Sequence, residues 1–111
     1  MDTKKTLGIS RALGALRAEL DYSDMPAQMI QVFLEVAALG EVTQQDLEKK
    51  VGISKAAISR FLGILSVGSP LKPGLRLVDS FEDPEYRRRK IVRVTARGKA
   101  VVSKMTEAMG R

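Results

Sequence analysis

The chain contains no cysteine and no histidine. That removes disulfides, Cys/His metal sites, cysteine or histidine nucleophile chemistry and thiol redox sensing. Nowhere do apolar residues run for the ~18 consecutive positions a membrane helix needs. The start, Met1-Asp2-Thr3-Lys4-Lys5, leads into a broken apolar pattern without a signal-peptide core. There is no Gly-rich phosphate loop, no internal repeat and no low-complexity tract. Asp79, Glu82, Asp83 and Glu85 lie in a strand-and-turn run beside a basic cluster, as solvated charge and turn formers rather than a metal or acid/base pair. No catalytic residue, metal or cofactor is therefore expected. The expectation is a cytoplasmic protein without membrane attachment that is not an enzyme.

What is present points to one ordinary globular domain: 111 residues, 44% hydrophobic and 29% charged. Such a chain buries about two thirds of its unfolded surface around one core. The formal net charge is +6. Residues 85–99 carry seven cations (Arg87, Arg88, Arg89, Lys90, Arg93, Arg97 and Lys99) against Glu85 alone, so this window accounts for the whole excess. Clustering of that kind suits a polyanion-binding surface, or, more plainly, a solvated basic strand or loop.

The apolar spacing predicts a helix over 7–20, with Leu13, Leu16 and Leu20 on one side. Asp21-Tyr22-Ser23-Asp24 ends it. Pro26 suits the first turn of a second helix, with Met29, Ile30, Phe33, Leu34 and Ala37 as its buried stripe and Gly40 as its stop. Thr43 is an N-cap for a short third helix with Leu47 and Val51 on one face, ended by Gly52. Ser54 caps a fourth, where Ile58, Phe61, Leu62 and Leu65 fall at i, i+3, i+4 and i+7. Lys55, Ala56, Ser59, Arg60 and Gly63 occupy its opposite face.

Two short helices joined by Gly52-Ile53-Ser54 alone, the second with small and basic outer residues near its start, read as a helix-turn-helix; a plain helical hairpin has the same pattern. A loop over 67–74 follows, broken by Gly68, Pro70, Pro73 and Gly74. Strands are predicted at 75–81 and 89–95 around a turn at 82–86, with Glu41-Val42 as a minor third strand. Thr95 caps a last helix whose apolar face is Ala100, Val101, Met105 and Met109. A basic hairpin after a helix-turn-helix makes a winged helix-turn-helix: mainly α with a small β-hairpin wing (α+β). The chain divides into an N-terminal helix and turn (1–24), the winged core (25–95) and a C-terminal helix (96–111).

An ordered set of residues resembles the winged-helix domain of the MarR (multiple antibiotic resistance regulator) family. The set is Pro26-Ala27-Gln28, Gly40, Val42-Thr43-Gln44-Gln45-Asp46-Leu47, Gly52-Ile53-Ser54, Ile58-Ser59-Arg60, Asp83-Pro84-Glu85 and Thr95-x-x-Gly98, and it spans 26–104. The resemblance implies a DNA-facing set of Ser54, Lys55, Ala56, Ala57, Ser59 and Arg60 on the fourth helix. It implies phosphate contacts at the start of the third helix by Thr43, Gln44 and Gln45, and a DNA-binding wing of Arg87, Arg88, Arg89 and Lys90. In the family, an Asp-x-Arg pattern after the Asp-Pro turn places an arginine in the minor groove, with the Asp orienting it. Here Arg88 keeps the arginine, and Tyr86 stands where the family has the Asp. Residues 67–73 are an insertion between recognition helix and wing, read as a longer loop, with a contact to DNA or to a partner as the alternatives.

Family dimers are held by terminal helices, so a homodimer is expected through Leu13, Leu16, Leu20, Val101 and Met105; these residues would equally complete a monomer core. The chain is short for the family, whose ligand pocket lies near the dimer junction, and no small-molecule effector is expected. The resulting reading is a repressor-like, DNA-binding transcriptional regulator with double-stranded DNA as partner. The alternative is a winged-helix adaptor that binds another protein, such as a polymerase or replication component.

Overall fold

The computed structural model describes residues 1–110. The elements are α1 (Thr3–Leu20), α2 (Ala27–Leu39), β1 (Glu41–Thr43), α3 (Gln44–Val51), α4 (Lys55–Leu65), β2 (Val78–Glu82), β3 (Lys90–Val94) and α5 (Ala96–Met109). No described helix is long and apolar enough to cross a membrane.

Helix α1 starts a turn earlier than its apolar spacing indicates. Asp2 accepts a hydrogen bond from the Lys5 N–H (3.1 Å), an N-cap that satisfies one orphan donor of the first turn. The helix ends where Asp21 turns left-handed (φ 50°) and its N–H bonds the Arg17 carbonyl. Its buried face is Gly8, Ala12, Leu16 and Leu20, and it lies along α5, which buries Gly98, Val101, Met105 and Ala108. The two helices run in opposite senses and approach closely. A Cβ on Gly8 would stand 3.0 Å from the Met109 carbonyl oxygen, and Lys104 Nζ lies 3.3 Å from Glu19 Oε2. Ala108 is buried in this seam, whereas Met109 and Ala100 are exposed. Leu16, Leu20, Val101 and Met105, expected to touch a second copy, are core residues within the chain. Leu13 is 38% exposed.

Pro26 precedes α2 as its N-cap (φ −60°, ψ 139°) rather than entering the first turn. The buried residues are Met29, Val32, Phe33 and Val36; Ile30, Leu34 and Ala37 are only half-buried. Helix α2 packs against α3, α4, α5 and β3. A helix apolar around most of its circumference has no single stripe to be read from periodicity, so its neighbours decide which side is deepest. Gly40 (φ 79°) stops it, bonding the Val36 carbonyl with its N–H (2.8 Å) and accepting from the Val94 N–H (3.0 Å).

The sheet is antiparallel with order β1-β3-β2. Val42 pairs with Val92 and Val78 with Val94, and all four are buried against the helices. Strand β2 begins at Val78, later than expected. The N–H groups of Leu75, Arg76 and Leu77 bond the carbonyls of Ile64, Ser66 and Leu65 (2.9, 2.8 and 2.8 Å). They satisfy the orphan acceptors at the end of α4 and are lost to the ladder. Arg76 sits there at φ 58°.

Residues 67–74, expected as a loop, fold into a miniature hairpin. Gly68 pairs with Pro73, and the Gly74 N–H bonds the Val67 carbonyl (3.0 Å). Gly74 is required there, because a Cβ would overlap the Ser66 carbonyl. Thr95 Oγ1 caps α5 by accepting from the Gly98 N–H (3.0 Å) and donates to the Arg76 carbonyl (2.8 Å).

Candidate nucleic-acid interface

Helices α3 and α4 are bounded by local chemistry. Thr43 Oγ1 accepts from the Asp46 N–H (3.1 Å), Gly52 closes α3 in the left-handed region (φ 74°), and Ser54 Oγ accepts from the Ala57 N–H (3.1 Å). Helix α4 buries Ile58, Phe61, Leu62 and Leu65, which turns Lys55, Ala56, Ser59, Arg60 and Gly63 outward. Ala57, expected among the DNA-facing residues, is instead half-buried against the core. Arg60 extends over the Phe61 ring, 5.2 Å from its centroid.

The start of α3 differs from expectation in one residue. Gln44 is only 8% exposed, and its Nε2 donates to Ser59 Oγ (2.9 Å). It braces α3 against α4 rather than offering its amide outward, because the turn from β1 points this first helical side chain at α4. The Thr43 hydroxyl oxygen serves as the cap, and Gln45 is exposed. Ser54 and Ser59 accept in these bonds, so each hydroxyl proton can still be donated to an outside acceptor.

The wing joins β2 to β3. The Asp83 N–H bonds the Arg89 carbonyl (2.8 Å), the Arg89 N–H bonds the Tyr86 carbonyl (2.8 Å), and Asp83 Oδ1 accepts from the Glu85 N–H (2.9 Å). This turn exposes Arg87 and Arg88 at the tip and Lys90 at the start of β3. Arg89 is differently placed. Its guanidinium is 3.7 Å from Asp83 Oδ2 and stacks 4.8 Å from the Tyr86 ring centroid. Tyr86 thus orients an arginine, but the one three residues on rather than Arg88. Arg93, also in the basic window, is paired with Glu41 (Nε–Oε1 2.9 Å, Nη2–Oε1 2.6 Å) and lies 5.0 Å from the Phe81 ring centroid. Its charge is offset by Glu41 on the exposed face of the sheet.

These parts meet in one open cleft of about 510 Å³. Gln44, Gln45 and Glu48 of α3 line one side, Lys55 and Ser59 of α4 its floor, and Arg88, Arg89 and Lys90 the wing side. Four cations against Glu48 give the cleft a net positive wall suited to a polyanion. Sequence reasoning missed Glu48, the Gln44–Ser59 brace and the Tyr86–Arg89–Asp83 cluster. The i, i+3 spacing of Tyr86 and Arg89 across a turn was the available signal for the last.

No family model matches the sequence, and no curated protein does. Solved structures do resemble the chain. A mutant MarR from E. coli complexed with operator DNA has a TM-score of 0.66 at 19% identity, over 95% of this chain and 70% of that one. The transcriptional regulator Tm0710 from Thermotoga maritima gives 0.74 at 19% identity, over 95% of this chain and 66% of that one. RV1404 from Mycobacterium tuberculosis gives 0.76 at 19% identity, over 97% of this chain and 68% of that one. The fold is that of the MarR-type winged helix.

Proposed function

We propose that the protein is a DNA-binding transcriptional regulator of repressor type. It places α4 in the major groove and lays the wing on the flanking minor groove and phosphates. The observation that carries this is the cleft in which the α3 start, the exposed face of α4 and three wing cations converge. That a MarR of the same fold is complexed with operator DNA adds support. A helix fits the major groove, and Ala56 allows close approach. Lys55, Ser59 and Arg60 offer donors to phosphates or base edges. Arg88 at the wing tip, and Arg87 and Arg89 beside it, suit a narrow minor groove. Cytoplasmic residence belongs to the same reading, since bacterial operator DNA lies there. No small-molecule effector is included.

The test is fluorescence anisotropy of a mixed-sequence duplex across a salt series. With about four to six phosphates neutralised, the log–log slope should be roughly −4 to −5. Lys55→Ala and Arg60→Ala should each weaken binding, Arg60→Ala by about 1–3 kcal/mol if it reads a base. Parent-like affinity in both variants would remove α4 from the interface.

The regulator acts as a homodimer in this proposal. Ile9 and Leu13 stand one turn apart on the outer side of α1, 57% and 38% exposed, beside the half-buried Ile30. Such an apolar strip suits a second copy covering neighbouring half-sites. Leu13→Glu should shift the protein from dimer to monomer in sedimentation equilibrium and leave its melting curve nearly unchanged. A parent protein that sediments as a monomer at every concentration rules the dimer out.

A further inference from the structure

The miniature hairpin at 67–74 is built to hold one shape. Ser69 and Lys72 exchange backbone hydrogen bonds (2.9 and 3.2 Å), and Ser69 Oγ accepts a further one from the Lys72 N–H (3.2 Å). The Gly68 N–H is tied to the Gly63 carbonyl of α4 (2.9 Å) and Leu75 to Ile64 (2.9 Å). The hairpin is therefore fixed to the recognition helix and not merely tethered near it. Between them lies a trough of about 280 Å³, bounded by Ser59, Arg60 and Gly63 on the helix and Ser69 and Lys72 on the hairpin. Two cations and two hydroxyls line it beside the apolar Ile64 and Pro73 and the backbone of Gly68, and no carboxylate does. Ser59 also lines the wing cleft. The outward face of α4 is thus flanked by the wing on one side and by this hairpin on the other.

Gly63 adds a second observation. It is exposed in the middle of α4, where glycine weakens a helix relative to alanine. Nothing in the fold requires it: a Cβ there would meet no atom within 4 Å. A bare helix backbone beside two cations lets a bulky anionic chain approach closely.

We infer that the hairpin is a second phosphate-binding element, which grips the sugar–phosphate backbone on the flank of α4 away from the wing through Lys72 and Ser69. The recognition helix is then held in its groove from both edges. This rests on the reading of the chain as a duplex-binding protein. Leu71 at the hairpin tip is 97% exposed and lies beside the track of that strand.

The test uses the full chain and the same duplex. Lys72→Ala removes one phosphate contact, so the salt slope should flatten by about 0.9, which is about a fivefold loss of affinity at 0.15 M salt. The substitution leaves the hairpin's backbone bonds in place, and an unchanged melting temperature checks this. The absence of cysteine permits a second readout: Leu71→Cys, carrying an iron chelate that generates hydroxyl radical, should cut the duplex at a discrete position flanking the footprint. An unchanged slope with an uncut duplex, while the parent still binds, overturns the hairpin assignment alone and leaves its apolar tip to a protein contact. A parent that fails to bind duplex overturns both readings together.

Discussion

Replacing Arg87, Arg88 and Lys90 together by alanine is expected to weaken duplex binding about 100-fold at 0.15 M salt. Each phosphate neutralised contributes close to 0.9 to the log–log salt slope, so three lost contacts flatten it by about 2.7. All three side chains are exposed on the wing. Lys90 faces Glu82 across the β2–β3 pair, and losing that cross-strand partner costs only about 0.2–1 kcal/mol. Arg89 is kept, because it ties Asp83 and Tyr86 into the turn and its removal would confuse geometry with charge. Anisotropy titrations at several salt concentrations, with melting curves alongside, make the comparison. An intact fold with a parent-like slope would take the wing out of the interface.

Leu16→Ala should lower stability by about 2–5 kcal/mol, the range for truncating a fully buried leucine. A domain of this size is stable by only about 5–15 kcal/mol, so the loss should appear as a fall of roughly 10–20 °C in melting temperature. Leu16 has 0% exposure and belongs to the buried cluster in which α1 and α5 contribute Leu20, Val101 and Met105. The loss should therefore occur without a change in oligomeric state. Leu13→Glu should do the opposite and dissociate copies without melting the chain. If Leu16→Ala instead yields a folded monomer of parent stability, the seam belongs between chains.

Much of the fold was legible because the physics that decides it is local. Thr43, Ser54 and Thr95 cap their helices through bonds to N–H groups three residues on. Gly40 and Gly52 adopt the positive φ that ends a helix. Ile58, Phe61, Leu62 and Leu65 are all buried, as their spacing requires on an amphipathic helix. The direction in which α4 presents Lys55, Ser59 and Arg60 follows from that pattern alone. The basic wing was visible as charge, since nothing else in the chain is so unbalanced.

The candidate site was less completely legible. Gln44 is polar at a helix start, and polarity suggests an outward amide; only the packing of α3 on α4 shows it turned toward Ser59. Arg87, Arg88, Arg89 and Arg93 look alike in sequence, yet Arg89 and Arg93 have carboxylate partners while Arg87 and Arg88 reach the wing tip. Those pairs join Arg89 to Asp83 across a turn and Arg93 to Glu41 across the sheet, and the second contact has a sequence separation no periodicity reports. The segment at 67–74 has the composition of a loop, and its hairpin exists because α4 ends with unsatisfied carbonyls that the chain folds back to meet.

By itself, then, the sequence determined the bounds of α3, the starts of α4 and α5, the helix-turn-helix, the wing and its excess charge. Each follows from interactions between residues a few positions apart. Tertiary structure decided which apolar residues become core and which stay exposed. The close crossing of α1 and α5 buries Leu16, Leu20, Val101 and Met105 within one chain and leaves Ile9 and Leu13 outside. It also decided which exposed cations are paired with carboxylates and which are not, and it set a second hairpin against α4. Burial and pairing depend on what the rest of the chain brings alongside, and residue spacing along one element carries no record of its neighbours.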